Sequence, residues 1–166
     1  EYDRAIADLD VAIAAKPDFA EAYINRGIAY RFKGEYQRAL ADFESVLKLT
    51  PDSSVARFQR MATYEEMGEY DRAIAEANAI LAATPNHIGA LNVRGLSSYD
   101  KGEYDRAIGD FDAVIRLKPT FAAAYRNRAR AFREKRDYAR AIADLDTALR
   151  VNPTDWWTLG ERCQTR

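Results

Sequence analysis

Arg126, Arg130 and Arg133 stand at i, i+4 and i+7, the spacing that sets three side chains on one face of a helix. Planar guanidinium groups grip carboxylates bidentately, and the neighbouring Asn127 is an amide suited to holding a peptide backbone. The chemistry open to this stripe is recognition of an acidic segment or of a free C-terminal carboxylate. The competing reading is an ordinary solvated, Arg-rich helix surface. Residues for catalysis are sparse. His87 is the only histidine, which excludes a His-based triad or a multi-histidine metal site, and it reads as a surface residue in a turn. Cys163 is the only cysteine and has no base near it in sequence. Glycines fall singly and never form a phosphate-cradling loop. The chain therefore reads as a non-enzyme, with no catalytic residue, cofactor or metal site.

The elements that position the stripe follow from a period. All five prolines (Pro17, Pro51, Pro85, Pro119 and Pro153) lie on one 34-residue grid, and a period of this size marks a stacked repeat. Tyr2, Tyr36, Tyr70, Tyr104 and Tyr138 share the grid, as do Ala5, Ala39, Ala73, Ala107 and Ala141. An arginine precedes each alanine, and an acid follows three residues later: Asp8, Asp42, Glu76, Asp110 and Asp144. Apolar residues recur at helical spacing. Tyr23, Gly27 and Tyr30 mark one face of a first helix (helix A), and Tyr36, Leu40, Phe43 and Leu47 mark one face of a second (helix B). Ten helices joined by short turns are expected. Full units span 20–53, 54–87, 88–121 and 122–155, with a lone helix B in 1–19 and a helix-A stub in 156–166.

The junctions have their own chemistry. Gly34, Gly68 and Gly102 punctuate the A–B turns, where a left-handed residue ends a helix without a Cβ clash. The last unit has Lys135-Arg136 there, so its turn is expected to be strained by about 1 kcal/mol or shaped differently. At the B–A junctions proline stops the preceding helix, and Asp18, Asp52, Asn86, Thr120 and Thr154 are the expected caps, with Asp18-x-x-Glu21 as a capping box. Volume is conserved across the units: Gly27 with Phe43, Met61 with Ala77, Gly95 with Phe111, Ala129 with Leu145. Each pair is expected to touch. Arg26, Arg60, Arg94 and Arg128 repeat in the seventh slot of helix A and are expected to meet the acids Asp8, Asp42, Glu76 and Asp110 of the preceding helices.

The run Tyr23-x2-Arg26-Gly27-x2-Tyr30, Ala39-x3-Phe43, Pro51 closely resembles the tetratricopeptide (TPR) pattern of W-x2-L-G-x2-Y, A-x3-F and P over 34 residues. The resemblance covers essentially the whole chain. It implies an all-α superhelical solenoid of antiparallel helix pairs, a single array over 1–166, whose A helices line a concave groove that binds proteins. Carried over slot by slot, the groove-facing residues are Ile24, Asn25, Ile28 and Phe32, then Phe58, Gln59, Ala62, Glu65 and Glu66. Next come Asn92, Leu96, Tyr99 and Asp100, and last Arg126, Asn127, Arg130, Arg133 and Glu134. Trp157 falls in a groove slot beside the arginines, although one of Trp156 and Trp157 is expected to pack on the last B helix as a cap. Cys163 falls in the small packing slot of helix A, where a buried thiol is expected.

The carboxylate clamp of chaperone-binding members is absent, since the clamp slots around Asn25 and Asn127 hold Val55, Gln59, Asn92, Leu96, Trp157 and Glu161. The style Asn25-Arg26-Gly27 looks like bacterial members of the family, which often act in envelope or secretion assemblies. The implied function is a protein-interaction scaffold that binds an extended peptide segment or partner helix, with an acidic preference at the C-terminal end. The alternative is a regulatory or oligomerisation module of a larger enzyme or signalling protein.

Composition agrees. Charged residues make up 31% and the net charge is −1, which suits solvated helices and offers no electrostatic basis for binding nucleic acid. No apolar run approaches the roughly 18 residues that would span a bilayer. The chain opens at Glu1 within a repeat and without Met, so it is expected to be a fragment. Its compartment, cytoplasm or periplasm, stays open. Tyr2, Ile6 and Leu9 begin the chain without a partner helix and are expected to lie bare and recruit another chain.

Overall fold

The computed structural model describes residues 1–165, which form ten α-helices with no strand among them. They are α1 (Tyr2–Ala15), α2 (Ala20–Phe32), α3 (Tyr36–Leu49), α4 (Ser54–Glu66) and α5 (Tyr70–Ala83), then α6 (Ile88–Asp100), α7 (Tyr104–Leu117), α8 (Ala122–Glu134), α9 (Tyr138–Val151) and α10 (Trp156–Thr165). The chain divides into two compact units, Glu1–Ile80 and a second that begins at Leu81. In the first, α2 packs on both α1 and α3, and α3 also packs on α4. In the second, α6 packs on α7, α7 on α8, α8 on α9 and α9 on α10. Successive A helices also meet, α2 with α4 and α6 with α8. The fold is an all-α helical repeat.

Close packing sets the identity of the repeated small residues. Ala39, Ala73, Ala107 and Ala141 are fully buried because helices cross over them. A Cβ placed on Gly27 would lie 2.6 Å from Phe43 Cε1, and one on Gly95 would lie 2.7 Å from Phe111 Cε1. Phe43 and Phe111 are fully buried, each ring contributing about 1.5–3 kcal/mol by leaving water. Ala129 and Leu145 share one core cluster with Phe132 and Ala141. Three of the four volume-matched pairs thus meet, and Met61 and Ala77 are both fully buried.

The arginine network corrects the sequence expectation. Each seventh-slot arginine pairs with the acid of the following B helix, not the preceding one. Arg26 donates to Asp42 through Nε at 2.9 Å and Nη2 at 2.6 Å, and reaches back through Nη1 to Asp10 at 2.6 Å. Arg128 repeats this fork with Asp144 (2.8 and 2.6 Å) and Asp112 (2.5 Å). Arg94 forks onto Asp110, and Arg60 meets Glu76. In Arg26 and Arg128 the planar guanidinium bridges B helices on both sides, and the back contact falls on the acid two residues beyond the repeated one. Hydrogen bonding from Asp42 and Asp144 raises Arg26 and Arg128 above their ordinary range.

The turns follow their glycines: Gly34, Gly68 and Gly102 have φ of 75°, 73° and 79°. Arg136 adopts the same left-handed turn at φ 62°, so its junction keeps its shape and stores the strain. The helix caps lie one residue later than expected. Ser53 accepts from Ala56 N at 3.3 Å, and His87 Nδ1 from Ala90 N at 3.0 Å. Phe19 and Phe121 occupy the cap position without a side-chain bond, so the Asp18–Glu21 box does not form. The residue after proline forms the turn itself, and capping passes to its neighbour.

At the N-terminal end, Ile6 is not bare but buried in a cluster with Ala29, Tyr30, Ala39 and Phe43. Tyr2, half exposed, stacks on Phe32 at 5.8 Å. The next A helix, α2, takes up this part of the apolar face.

Candidate functional site

In the second unit, α8 and α10 flank a cleft of about 530 Å³ lined by Arg126, Arg130, Arg133, Trp156, Trp157, Gly160, Glu161 and Gln164. One-turn spacing along α8 places the three arginines on this wall in a row. α10 supplies the other wall because the chain turns at Pro153 and Thr154 and starts a new helix at Trp156, held by a strong cap at Asp155. The Asp155 carboxylate accepts from Thr158 N at 3.3 Å and from the Thr158 hydroxyl at 2.7 Å. Arg126 Nη1 donates to the same carboxylate at 3.0 Å, tying the two walls together. The Thr158 hydroxyl bond, followed by the backbone bond and the nearby Arg126 charge, holds Asp155 below its ordinary 3.8.

The arginines differ in what holds them. Arg126 is neutralised by Asp155. Arg130 lies over the Tyr99 ring at 4.6 Å, and Tyr99 OH donates to Glu134 at 3.3 Å. Burial lifts the Tyr99 phenol, and burial likewise raises Asp100 despite the Arg130 charge nearby. Arg133 has no ion-pair partner among the described residues. Glu161 is 9% exposed and its Oε2 is buried without a hydrogen-bond partner. Counting Arg126 with Asp155, the lining keeps two arginines against one acid. Trp156 and Trp157 are 75% and 56% exposed and meet edge to face at 5.8 Å. Neither is buried as a cap on α9, because Thr158, Glu161 and Thr165 supply the buried face of α10. An aromatic, cation-lined cleft of this kind can hold a carboxylate at one end and apolar groups at the other.

The other sequence-selected positions lie on the A helices. In the first unit Ile24 is half-buried, Asn25 exposed, and Ile28 packs against the cluster around Phe43. Phe58 and Gln59 on α4 are half-buried, with Gln59 Oε1 lacking a hydrogen-bond partner. Arg31 of α2 pairs with Glu66 of α4. In the second unit Asn92 and Leu96 are half-buried on α6, and Asn92 Oδ1 is buried without a partner. Asn127 is 8% exposed and does not line the cleft. The cleft thus gathers Arg126, Arg130, Arg133 and Trp157 from the sequence-selected set. It adds Trp156, Gly160, Glu161 and Gln164, three of which fall in groove slots of the stub. Applying the register to the stub as fully as to the complete units finds them.

Cys163 is exposed, contrary to expectation. Its slot in the other A helices is covered by a B helix, as Gly27 is by Phe43, and among the described residues none covers it on α10. No group of three or more His, Cys, Asp or Glu among the described residues could hold a metal ion. No helix among them is long and apolar enough to cross a membrane.

Among solved structures, MamA from Desulfovibrio magneticus RS-1 superposes with a TM-score of 0.85 at 22% identity, covering 93% of this chain and 87% of that one. YrrB, described as a TPR protein with an unusual peptide-binding site, gives 0.79 at 23% identity over 98% and 84% of the two chains. A tetratricopeptide repeat protein from Parabacteroides merdae gives 0.79 at 22% over 99% and 64%. No curated protein sequence matches the chain. Two family models, each of the tetratricopeptide repeat, match residues 1–54 with 92–155 and residues 33–94. The chain belongs to the tetratricopeptide repeat family.

Proposed function

We propose that this protein is a non-catalytic interaction module whose cleft between α8 and α10 binds an acidic segment, or a free C-terminal carboxylate, of a partner protein. The 34-residue grid divides it into four full repeats, 20–53, 54–87, 88–121 and 122–155, flanked by partial ones. The observation that carries the reading is the row Arg126, Arg130 and Arg133 on one wall of a cleft whose other wall holds two exposed tryptophans. Arg130 and Arg133 are the binding cations, Arg126 being engaged by Asp155. The ligand's apolar groups lie on Trp156 and Trp157. In the first unit taken by itself, the half-buried Ile24, Ile28 and Phe58 offer apolar contact, with Asn25 and Gln59 as polar positions; in the second, Leu96 and Asn92 offer the same on α6.

The test uses tryptophan fluorescence, since the only two tryptophans are in the cleft. Titration with peptides ending in acidic residues and a free carboxylate quenches or shifts this emission. Arg130→Glu weakens the midpoint by at least about tenfold, as expected for loss of a charge-assisted bond plus repulsion. Glu161→Gln strengthens it severalfold by removing the opposing charge. An unchanged midpoint in Arg130→Glu rejects the reading.

A further inference from the structure

Two residues on the α10 wall of the cleft are not accounted for by the repeat. Glu161 is 9% exposed and lines the cleft, and its Oε2 is buried without a hydrogen-bond partner. It makes no ion pair among the described residues, although Arg130 and Arg133 line the same narrow crevice. An unpaired buried acceptor is unfavourable, and a donor that reaches this carboxylate from the cleft relieves it. Gly160 is the second. The grid sets it in the slot of Ile24, Phe58, Asn92 and Arg126. Gly27 and Gly95 are glycine because a phenylalanine ring lies where a Cβ would be, whereas nothing lies within 4 Å of a Cβ on Gly160. Glycine inside a helix is unfavourable, and here it leaves open space beside two exposed tryptophans.

The lining also limits the charge of a ligand. Asp155 engages Arg126, and Glu161 stands against Arg130 and Arg133, which leaves one positive charge in excess. A single carboxylate balances it. A run of acidic side chains brings further negative charge towards a buried carboxylate that has no donor to offset it.

A unit that carries one carboxylate, an N–H donor and a side chain on the carbon between them is the last residue of a peptide chain. We propose that Glu161 and Gly160 make the cleft specific for a peptide C-terminus bearing a single negative charge. Arg130 and Arg133 hold the terminal carboxylate, and Glu161 accepts the N–H of the last residue. The apolar side chain of that residue enters the space over Gly160 beside Trp157. Acidic runs are rejected by the charge of Glu161. This inference rests on the reading of the cleft as a carboxylate-binding site and selects the chain end over the acidic segment.

The test titrates tryptophan emission with acetylated pentapeptides of uncharged residues ending in leucine. The free acid is expected to bind at least about tenfold more tightly than its amide. Equal binding of the two overturns the carboxylate reading and this inference together. Placing aspartate at the two preceding positions weakens binding to the wild type severalfold, and Glu161→Gln removes that penalty. Methylating the last peptide nitrogen weakens binding to the wild type by about tenfold and leaves binding to Glu161→Leu unchanged. Gly160→Leu weakens binding at least about tenfold while its thermal midpoint stays level or rises, which a folding defect does not do. Three results overturn this inference and leave the carboxylate reading standing. They are an acidic peptide that binds the wild type as tightly as the neutral one, a methylation penalty that persists in Glu161→Leu, and normal binding by Gly160→Leu.

Discussion

At the residue scale, the chain is governed by paired volumes and by one acid-pairing arginine per repeat, forked at Arg26, Arg94 and Arg128. The Gly95–Phe111 contact leaves no room for a methyl group, since a Cβ would sit 2.7 Å from a fully buried ring. Gly95→Ala is therefore expected to destabilise by about 1–3 kcal/mol, overpacking outweighing the better helix propensity of alanine. Gly95→Ala/Phe111→Leu recreates the Ala129–Leu145 combination and is expected to recover at least about 0.5 kcal/mol relative to the sum of the single changes. Urea melts of the four proteins measure this coupling, and strict additivity rejects it. The pairing of these slots was legible in the sequence because volume must be conserved at a close crossing. The partner of each arginine was not: acids stand at matching slots on both neighbouring B helices, and only the path of the side chain selects the following one.

At the element scale, turns and caps decide how the helices are held. Arg136 keeps the left-handed turn that glycine occupies elsewhere, with φ 62°. Arg136→Gly removes that strain while widening the unfolded ensemble, so a net gain of about 0.5–1 kcal/mol is expected, read as a higher thermal midpoint. Asp155 caps α10 and has a depressed native pKa. Such a group stabilises fully above its unfolded value near 3.8, and the contribution is lost as pH falls through the lower native value. Emission from Trp156 and Trp157 is expected to report α10 loosening in that acid window ahead of the rest of the chain, and Asp155→Asn to show it already at neutral pH. Coincidence of that change with global unfolding contradicts the local cap. Helix number and type were legible from period and punctuation. The caps moved by one residue because backbone turn geometry, not side-chain preference, fixes where a helix begins.

At the scale of the whole molecule, charge is balanced, with 25 basic and 26 acidic side chains. Recognition then rests on local arrangements such as the α8–α10 cleft and not on a long-range field.

The 34-residue period by itself determined the helical repeat, the family and a slot for every side chain, because stacked units impose the same packing demand at the same position. The arginine stripe was legible for the same reason, as the part of α8 that the repeat does not require. Tertiary structure alone decided that Trp156 and Trp157 stay open, that Asn127 and Glu161 are buried, and that Cys163 is exposed. Those outcomes depend on which neighbouring helix covers each face, and coverage is a property of contacts between distant segments that a local pattern does not encode.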